Sequence, residues 1–231
     1  MTLFLQLALL LPLGIAAGQT QVVVVDRMVA VVNKRVIMES KLDQEVRLER
    51  LFEGKPPAGP QLETPAKVSA LDQLIDRELL EQQIPRDDLE APSPQEVGQR
   101  VNEIRARNPG LKTDEDWKSR LAADDLTEQD VERRIISEFS VLRYVDERFR
   151  SLVRVDKADI AAYYQEKLLP ELRRRGAPEP SLAEVSDKIE NILVEQRVDQ
   201  MLNEWLEILR GQAQIENMLI PPGSPVPGAK Q

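Results

Sequence analysis

Residues 22–40 read VVVVDRMVAVVNKRVIMES, and no other part of the chain is as dense in β-branched side chains. Such side chains favour the pleated, half-buried surface of a strand. The polar pair Asn33-Lys34 splits the stretch with residue types that a tight hairpin turn accepts. The pattern predicts a strand over 26–32, a shorter return over 35–38, and a helix opened by Ser40. A lone hairpin is marginal in water, so this one needs a third strand or a helical layer over its apolar face. One candidate strand, QAQIENML at 212–219, lies at the opposite end, after a long helical pattern ending at Gly211 and before a proline-rich tail. If the two ends pair, the chain closes on itself and everything between hangs from the closure.

The intervening sequence is helical, and its helix starts are spelled out. Ser or Thr followed three residues later by Asp or Glu recurs at Ser40/Asp43, Ser93/Glu96, Thr113/Asp116, Thr127/Asp130 and Ser181/Glu184, each at an apolar-periodic run. In this pattern the hydroxyl and the carboxylate satisfy backbone N–H groups at a helix N-terminus. Thr64-Pro65 predicts a cap with proline at the first helical position, and Asp156 caps another helix. Helices are therefore expected over 41–52, from 65 to the stop at Pro85, over 94–107, briefly around Trp117 and Leu121, and from 128 onward. The helix after Thr127 has an apolar stripe at Val131, Ile135, Phe139, Leu142, Val145, Phe149 and Leu152, widened by Ile136, Val141 and Tyr144. So wide a stripe calls for cover on more than one side. A helix over 157–175 contains Pro170, which should kink or divide it. Gly176-Ala177-Pro178-Glu179-Pro180 breaks the chain, and 182–210 forms the longest helix, a candidate central beam.

With 231 residues, 42% of them apolar and 4% aromatic, the chain is long enough for an aliphatic core of packed helices. A net charge of −9 argues against nucleic acid as a partner, because phosphate binding needs a basic surface. Cysteine and histidine are both absent, which removes thiol nucleophiles, thiolate metal sites, and the commonest general base and metal ligand. Asp87-Asp88 and Asp124-Asp125 read as solvated or capping charges, and Arg173-Arg174-Arg175 as a helix end favoured by the dipole. Tyr163-Tyr164 reads as core. No phosphate-cradling loop, dinucleotide fingerprint or nucleophile elbow occurs. No catalytic residue, cofactor site or metal site is expected, and the chain is not expected to be an enzyme.

The opening MTLFLQLALLLPLGIAAGQT carries an apolar run over 3–17, shorter than the roughly 20 residues of a membrane span. Ala16-Ala17-Gly18 offers small residues for cleavage before Gln19. Residues 1–18 thus read as a secretory signal, although no Lys or Arg precedes the apolar run. The mature chain is expected to be exported, with no membrane span. Its folded part is expected over 22–219: an N-terminal part over 22–164, a linker over 165–181, and the long helix and strand over 182–219. Residues 220–231, rich in proline, read as a disordered tail.

Two stretches, DRMVAVVNKRVIMESKLDQEV and SALDQLIDRELLEQQ, resemble the N-terminal domain of SurA-like periplasmic chaperones and of the related PrsA and PpiD proteins. VDKADIAAYY is similar to the helix that leads into the parvulin isomerase domain of that family, and VSDKIENILVEQRVDQMLNEWLEILRGQAQIENM to the segment that follows it. Here only residues 165–181 separate those segments, so the resemblance implies a chaperone domain without the isomerase. It implies a mainly α, multi-helix fold in which the terminal strand joins the N-terminal hairpin, and helices frame an apolar cradle for unfolded chains.

The expected function is ATP-independent binding, in the periplasm, of apolar segments of unfolded proteins, above all outer-membrane proteins. Trp117, Phe139, Leu142, Tyr144 and Trp205 are the candidates for lining or supporting the cradle. Burying roughly four or five client side chains contributes about 1.5–3 kcal/mol each, and association costs about 4–15 kcal/mol, so binding should be roughly micromolar and reversible. Two other readings remain open. One is a dedicated envelope assembly or structural partner, or a homodimer that exchanges its terminal strand or long helix. The other is the non-catalytic subunit of a peptidyl-prolyl isomerase.

Overall fold

The computed structural model describes residues 26–85, 91–108 and 110–219. The expected signal, the 220–231 tail and Asp87-Asp88 lie outside them. The hairpin forms as β1 (Met28–Val32) and β2 (Arg35–Met38), paired antiparallel around Asn33-Lys34. Asn33 takes φ 57°, a left-handed conformation that asparagine tolerates better than most residues. The third strand, β3 (Ile215–Asn217), pairs antiparallel with β1 in the order β2-β1-β3. Asn33 also makes the closure: its N–H donates to the Gln214 carbonyl at 2.7 Å, and its Oδ1 accepts from the Gln214 N–H at 3.0 Å. The two ends of the chain therefore meet in one sheet.

The helices are α1 (Glu39–Phe52), α2 (Thr64–Glu81), α3 (Pro94–Arg107), α4 (Asp114–Ala123), α5 (Glu128–Phe149), α6 (Lys157–Tyr163), α7 (Leu169–Arg175) and α8 (Leu182–Gln212). Ser93, Thr113, Thr127 and Ser181 each close a capping box with the acidic residue three positions on. Ser40 does not. The α1 helix already begins at Glu39, and the Ser40 N–H (3.1 Å) and hydroxyl both donate to the Asp26 carboxylate, so Asp26 serves the helix start from before the hairpin. Thr64 likewise lies inside α2, behind an N-cap at Glu63 that makes no side-chain bond. Pro170 divides its helix through a π turn at Tyr164–Leu168. Proline lacks the N–H an α turn needs and its ring crowds the carbonyl four residues back, so an extra residue is taken up just before it. Helical structure extends to Arg175 within the 165–181 segment, and the left-handed Gly176 ends it.

Three apolar clusters fill the interior. The first packs the inner face of the sheet against Leu42 and Val46 of α1, Leu71, Ile75 and Leu79 of α2, and Leu209 of α8. The second joins Leu48 and Leu51 of α1 to Ile104, Trp117 and Leu121 and to Val131 and Ile135 of α5. The third holds Val145 and Phe149 of α5 against Val198 of α8. Both α5 and α8 act as beams: α8 touches α2, α5 and α6, while α5 borders every cluster. Arg210 clamps α8 to α2 through Asp72 (2.8 Å) and Asp76 (2.5 Å).

Asp124 is a correction to the sequence reading. It is buried rather than solvated. Its Oδ2 accepts from Arg120 Nε at 2.7 Å and its Oδ1 from the Ala58 N–H at 2.9 Å. Arg120 also donates to the Lys55 carbonyl (2.7 Å) and to Asn108 Oδ1 (3.1 Å), and Asn108 donates to the carbonyls of Leu51 and Ile104. This knot ties the α1–α2 loop to the ends of α3 and α4. Gly54 enters the loop at φ 72°, and a Cβ there would stand 2.4 Å from the Arg107 carbonyl oxygen.

Candidate functional site

The α5 stripe is wider than its cover. Val141 and Tyr144 are met by α8 and the first cluster, whereas Ile136 (41% exposed) and Leu142 (53% exposed) stay open to solvent. Successive open apolar positions three apart share one side of a helix. Ile136, Phe139 and Leu142 therefore form a second, outward stripe beside the buried one.

Three grooves run along this stripe. The first, about 680 Å³, lies between α3, α4 and α5, with Val97, Val101, Trp117, Val131 and Ile136 as its apolar lining and Arg105, Asp114, Lys118 and Glu132 around them. The second, about 430 Å³, lies between α3 and α5 over Phe139 and Leu142. Ion pairs Arg100–Glu138 (3.0 Å) and Arg143–Glu96 (2.6 Å) hold α3 on α5 beside it. The third, about 440 Å³, lies between α5 and α8, lined by Leu142, Val145, Val198 and Leu202. Leu142 lines both the second and the third. The result is a trough, a row of three grooves along one helix: apolar patches at Val97, Val101 and Ile136, at Phe139 and Leu142, and at Val145, Val198 and Leu202, set among charged side chains. Glu96, Gln99, Arg100, Glu103 and Glu138 make up the rest of the second groove.

The structure brings three of the five candidate residues to this trough. Trp117 is only 4% exposed; it is part of the second core cluster and reaches the first groove with its ring 5.8 Å from the Arg105 guanidinium. Phe139 is half-buried in the floor of the second groove, and Leu142 is its exposed wall. Tyr144 and Trp205 line none of the three grooves. Their rings pack together at 6.0 Å, Trp205 meets Phe149 edge-on at 5.6 Å, and Arg148 stacks on Trp205 at 4.4 Å. They form the seam that fixes α8 to α5. Val97, Val101 and Ile136 are trough residues that the sequence showed only as stripe positions.

Beneath the trough, α5 is seated on α1 and α2 by a buried charge cluster. Glu45 is completely buried, and its Oε1 accepts from Arg77 Nη2 (2.7 Å) and Arg134 Nε (2.9 Å). Burial pushes the Glu45 carboxyl up, but the two guanidinium groups outweigh it and hold the pKa below its ordinary value. Glu49, one turn on, has no such partner. Burial, reinforced by the Glu45 charge, raises its pKa from 4.5 to about 7.

The fold therefore keeps a proton on Glu49 that the unfolded chain releases. This contribution to stability is complete below the ordinary 4.5 and is lost as pH rises through about 7. With no histidine in the chain, little else titrates in that window. The unfolding free energy should fall by about 1–2 kcal/mol between about pH 5 and pH 8, the full linkage value being reduced by solvent screening at a half-buried site, and Glu49→Gln should flatten the profile. A profile of unchanged slope in the variant would contradict the assignment.

Among the described residues no group of three or more acidic side chains could hold a metal ion, and no helix is long and apolar enough to cross a membrane. No curated protein matches the chain. The family model for the SurA-like N-terminal domain matches residues 1–145, a span that runs from the start of the chain through the hairpin and most of α5 and so holds the first two grooves. No parvulin family is found within the 231 residues. A mainly helical body with a small three-stranded antiparallel sheet agrees with the family match, and the chain belongs to the SurA-like N-terminal domain family of chaperone-type proteins.

Proposed function

We propose that the protein is an ATP-independent chaperone of the periplasm that shields apolar segments of unfolded proteins, outer-membrane proteins foremost, and that it has no isomerase activity of its own. The observation that carries this reading is the open stripe Ile136–Phe139–Leu142, lying in grooves on the part of the chain that matches the family. Its margins pair charges of both signs, and the chain's net charge of −9 keeps a loaded complex soluble. Separate grooves along one helix fit a chain that binds by several side chains in turn, with roughly micromolar and reversible affinity.

Light scattering tests the proposal. A denatured outer-membrane protein and an unrelated unfolded protein are each diluted from denaturant, with and without the protein at near-stoichiometric concentration. Suppression of aggregation for both clients is expected. Failure for both would overturn the reading and favour a dedicated envelope assembly partner. With a proline-containing peptide, the protein should give no acceleration over the uncatalysed isomerisation.

A further inference from the structure

We propose that a separate cleft between β2, α2 and α5 binds an apolar group that carries a carboxylate, with Lys41 and Arg133 as its cationic contacts. The cleft encloses about 300 Å³. Its apolar lining is Val36, Ile37 and Leu74, and its charged lining is Arg35, Lys41, Arg77, Arg133 and Arg134 against Glu78 and Glu81. In a chain with nine more acidic than basic residues, a concavity with five cations and two carboxylates is unusual for its surroundings. Arg133 and Ser137 follow Glu132 and Ile136 by one residue each, about 100° around α5, so the cleft occupies the helix face next to the trough.

Most of these cations are already engaged. Arg77 and Arg134 serve Glu45, and Arg35 pairs with Glu78 at 3.2 Å. Among the described residues Lys41 makes no ion pair, and its ammonium donates to the neutral Gln44 Oε1 at 3.2 Å. Among the described residues Arg133 pairs with Asp130 alone, and it leaves most of its side chain exposed. Burial lowers the Lys41 pKa, and Arg77 and Arg133 act in the same direction against the opposing charges of Glu45 and Glu81. A bound anion offsets the mutual repulsion of Lys41, Arg77 and Arg133. Beside these cations Val36, a β-branched side chain on an edge strand, is 51% exposed.

The ligand class follows from that pairing. Glu81, which accepts from Ser137, also faces the cleft and disfavours a dianion such as phosphate. A monoanionic carboxylate meets Lys41 and Arg133, while an attached hydrocarbon covers Val36 and Leu74. The C-terminal residue of a peptide and an alkyl carboxylate share this chemistry.

Calorimetric titration of the full chain separates them. The probes are an acetylated tripeptide ending in phenylalanine as the free acid, the same tripeptide as its C-terminal amide, and decanoate. The free acid should bind at least about tenfold more tightly than the amide, the size of one charge-assisted hydrogen bond. Lys41→Gln should remove that preference, whereas Lys188→Gln, an exposed change on α8, should keep it. Decanoate competing with the acid would assign the cleft to alkyl carboxylates generally, and peptide binding without decanoate binding would assign it to chain termini. Equal affinity for acid and amide, an unaltered preference in Lys41→Gln, or no binding of either anion would overturn the proposal. None of these readouts depends on aggregation suppression.

Discussion

Arg120→Ala is expected to lower stability by about 3–5 kcal/mol, because it removes one partner of a buried ion pair and leaves the other charge stranded. Asp124 is 1% exposed and would lose its one cationic partner among the described residues, while the Lys55 carbonyl and Asn108 Oδ1 would each lose a donor. Against a typical total of about 5–15 kcal/mol this is a large fraction. Lysine is not a substitute: three acceptors in different directions are met by one planar guanidinium, and a single ammonium on a flexible stem cannot reach them together. The double variant Arg120→Ala/Asp124→Ala should cost less than the sum of the two single changes, since the second removes the charge the first exposes. Urea unfolding gives the energies. Amide exchange at Ala58, whose N–H is held by Asp124, reports release of the α1–α2 loop. A loss under about 1 kcal/mol in Arg120→Ala would mean that the knot contributes little more than a surface pair.

Glu45→Ala should cost about 3 kcal/mol, the lower end of the range for a broken buried pair, since Arg77 and Arg134 keep some contact with water. The loss is not confined to one contact. Glu45 is the acceptor that draws α2 and α5 onto α1, so its removal leaves two guanidinium groups facing each other across the junction. Arg134 keeps Glu138 at 3.4 Å and the Phe52 ring at 5.7 Å, but Arg77 keeps no carboxylate among the described residues. Replacing the three charges together with Leu or Met should recover most of the stability, because apolar packing at such a site competes well with an ion cluster. The triple variant being no more stable than Glu45→Ala would contradict this account. Because the folded state holds the Glu45 pKa low, its contribution is complete above the ordinary carboxylate value and is lost as pH falls below that value, through the lowered pKa of the folded state. Glu49 behaves oppositely, so the two neighbouring carboxyl groups shape opposite limbs of the stability profile.

The closure of the fold was legible because both strands carry local signals: β-branched density at 22–38, and a short non-helical run after the long helix. The capping boxes at Ser93, Thr113, Thr127 and Ser181 were equally legible, since each depends only on residues three apart. Ser40 misled for a non-local reason. Asp26, fourteen positions earlier, takes both of its donors once the hairpin folds back. Asp124 misled in the same way: an acidic pair in a loop looks solvated until the Lys55–Ala58 backbone returns to it.

The trough was half legible. The periodicity of α5 announced more apolar surface than one neighbour covers, but which part stays open depends on where α2, α3 and α8 land. That placement covers Tyr144 and leaves Ile136 exposed. Aromatic content was a poor guide for a physical reason. Trp205 and Tyr144 are large enough to bridge two helices, and here that is the use they find.

The most direct test of the central claim compares two double variants of matched apolar loss. Ile136→Ser/Leu142→Ser strips the open trough, whereas Leu152→Ser/Ile208→Ser removes side chains that are 62% and 55% exposed and line none of the three grooves. All four positions are exposed, so both variants should fold with near-original stability. Aggregation of a denatured outer-membrane protein is then followed by light scattering with each. The first variant should lose most of its suppression and the second should keep it. Equal loss in both, or full suppression by the first, would contradict the assignment of client binding to the α5 trough.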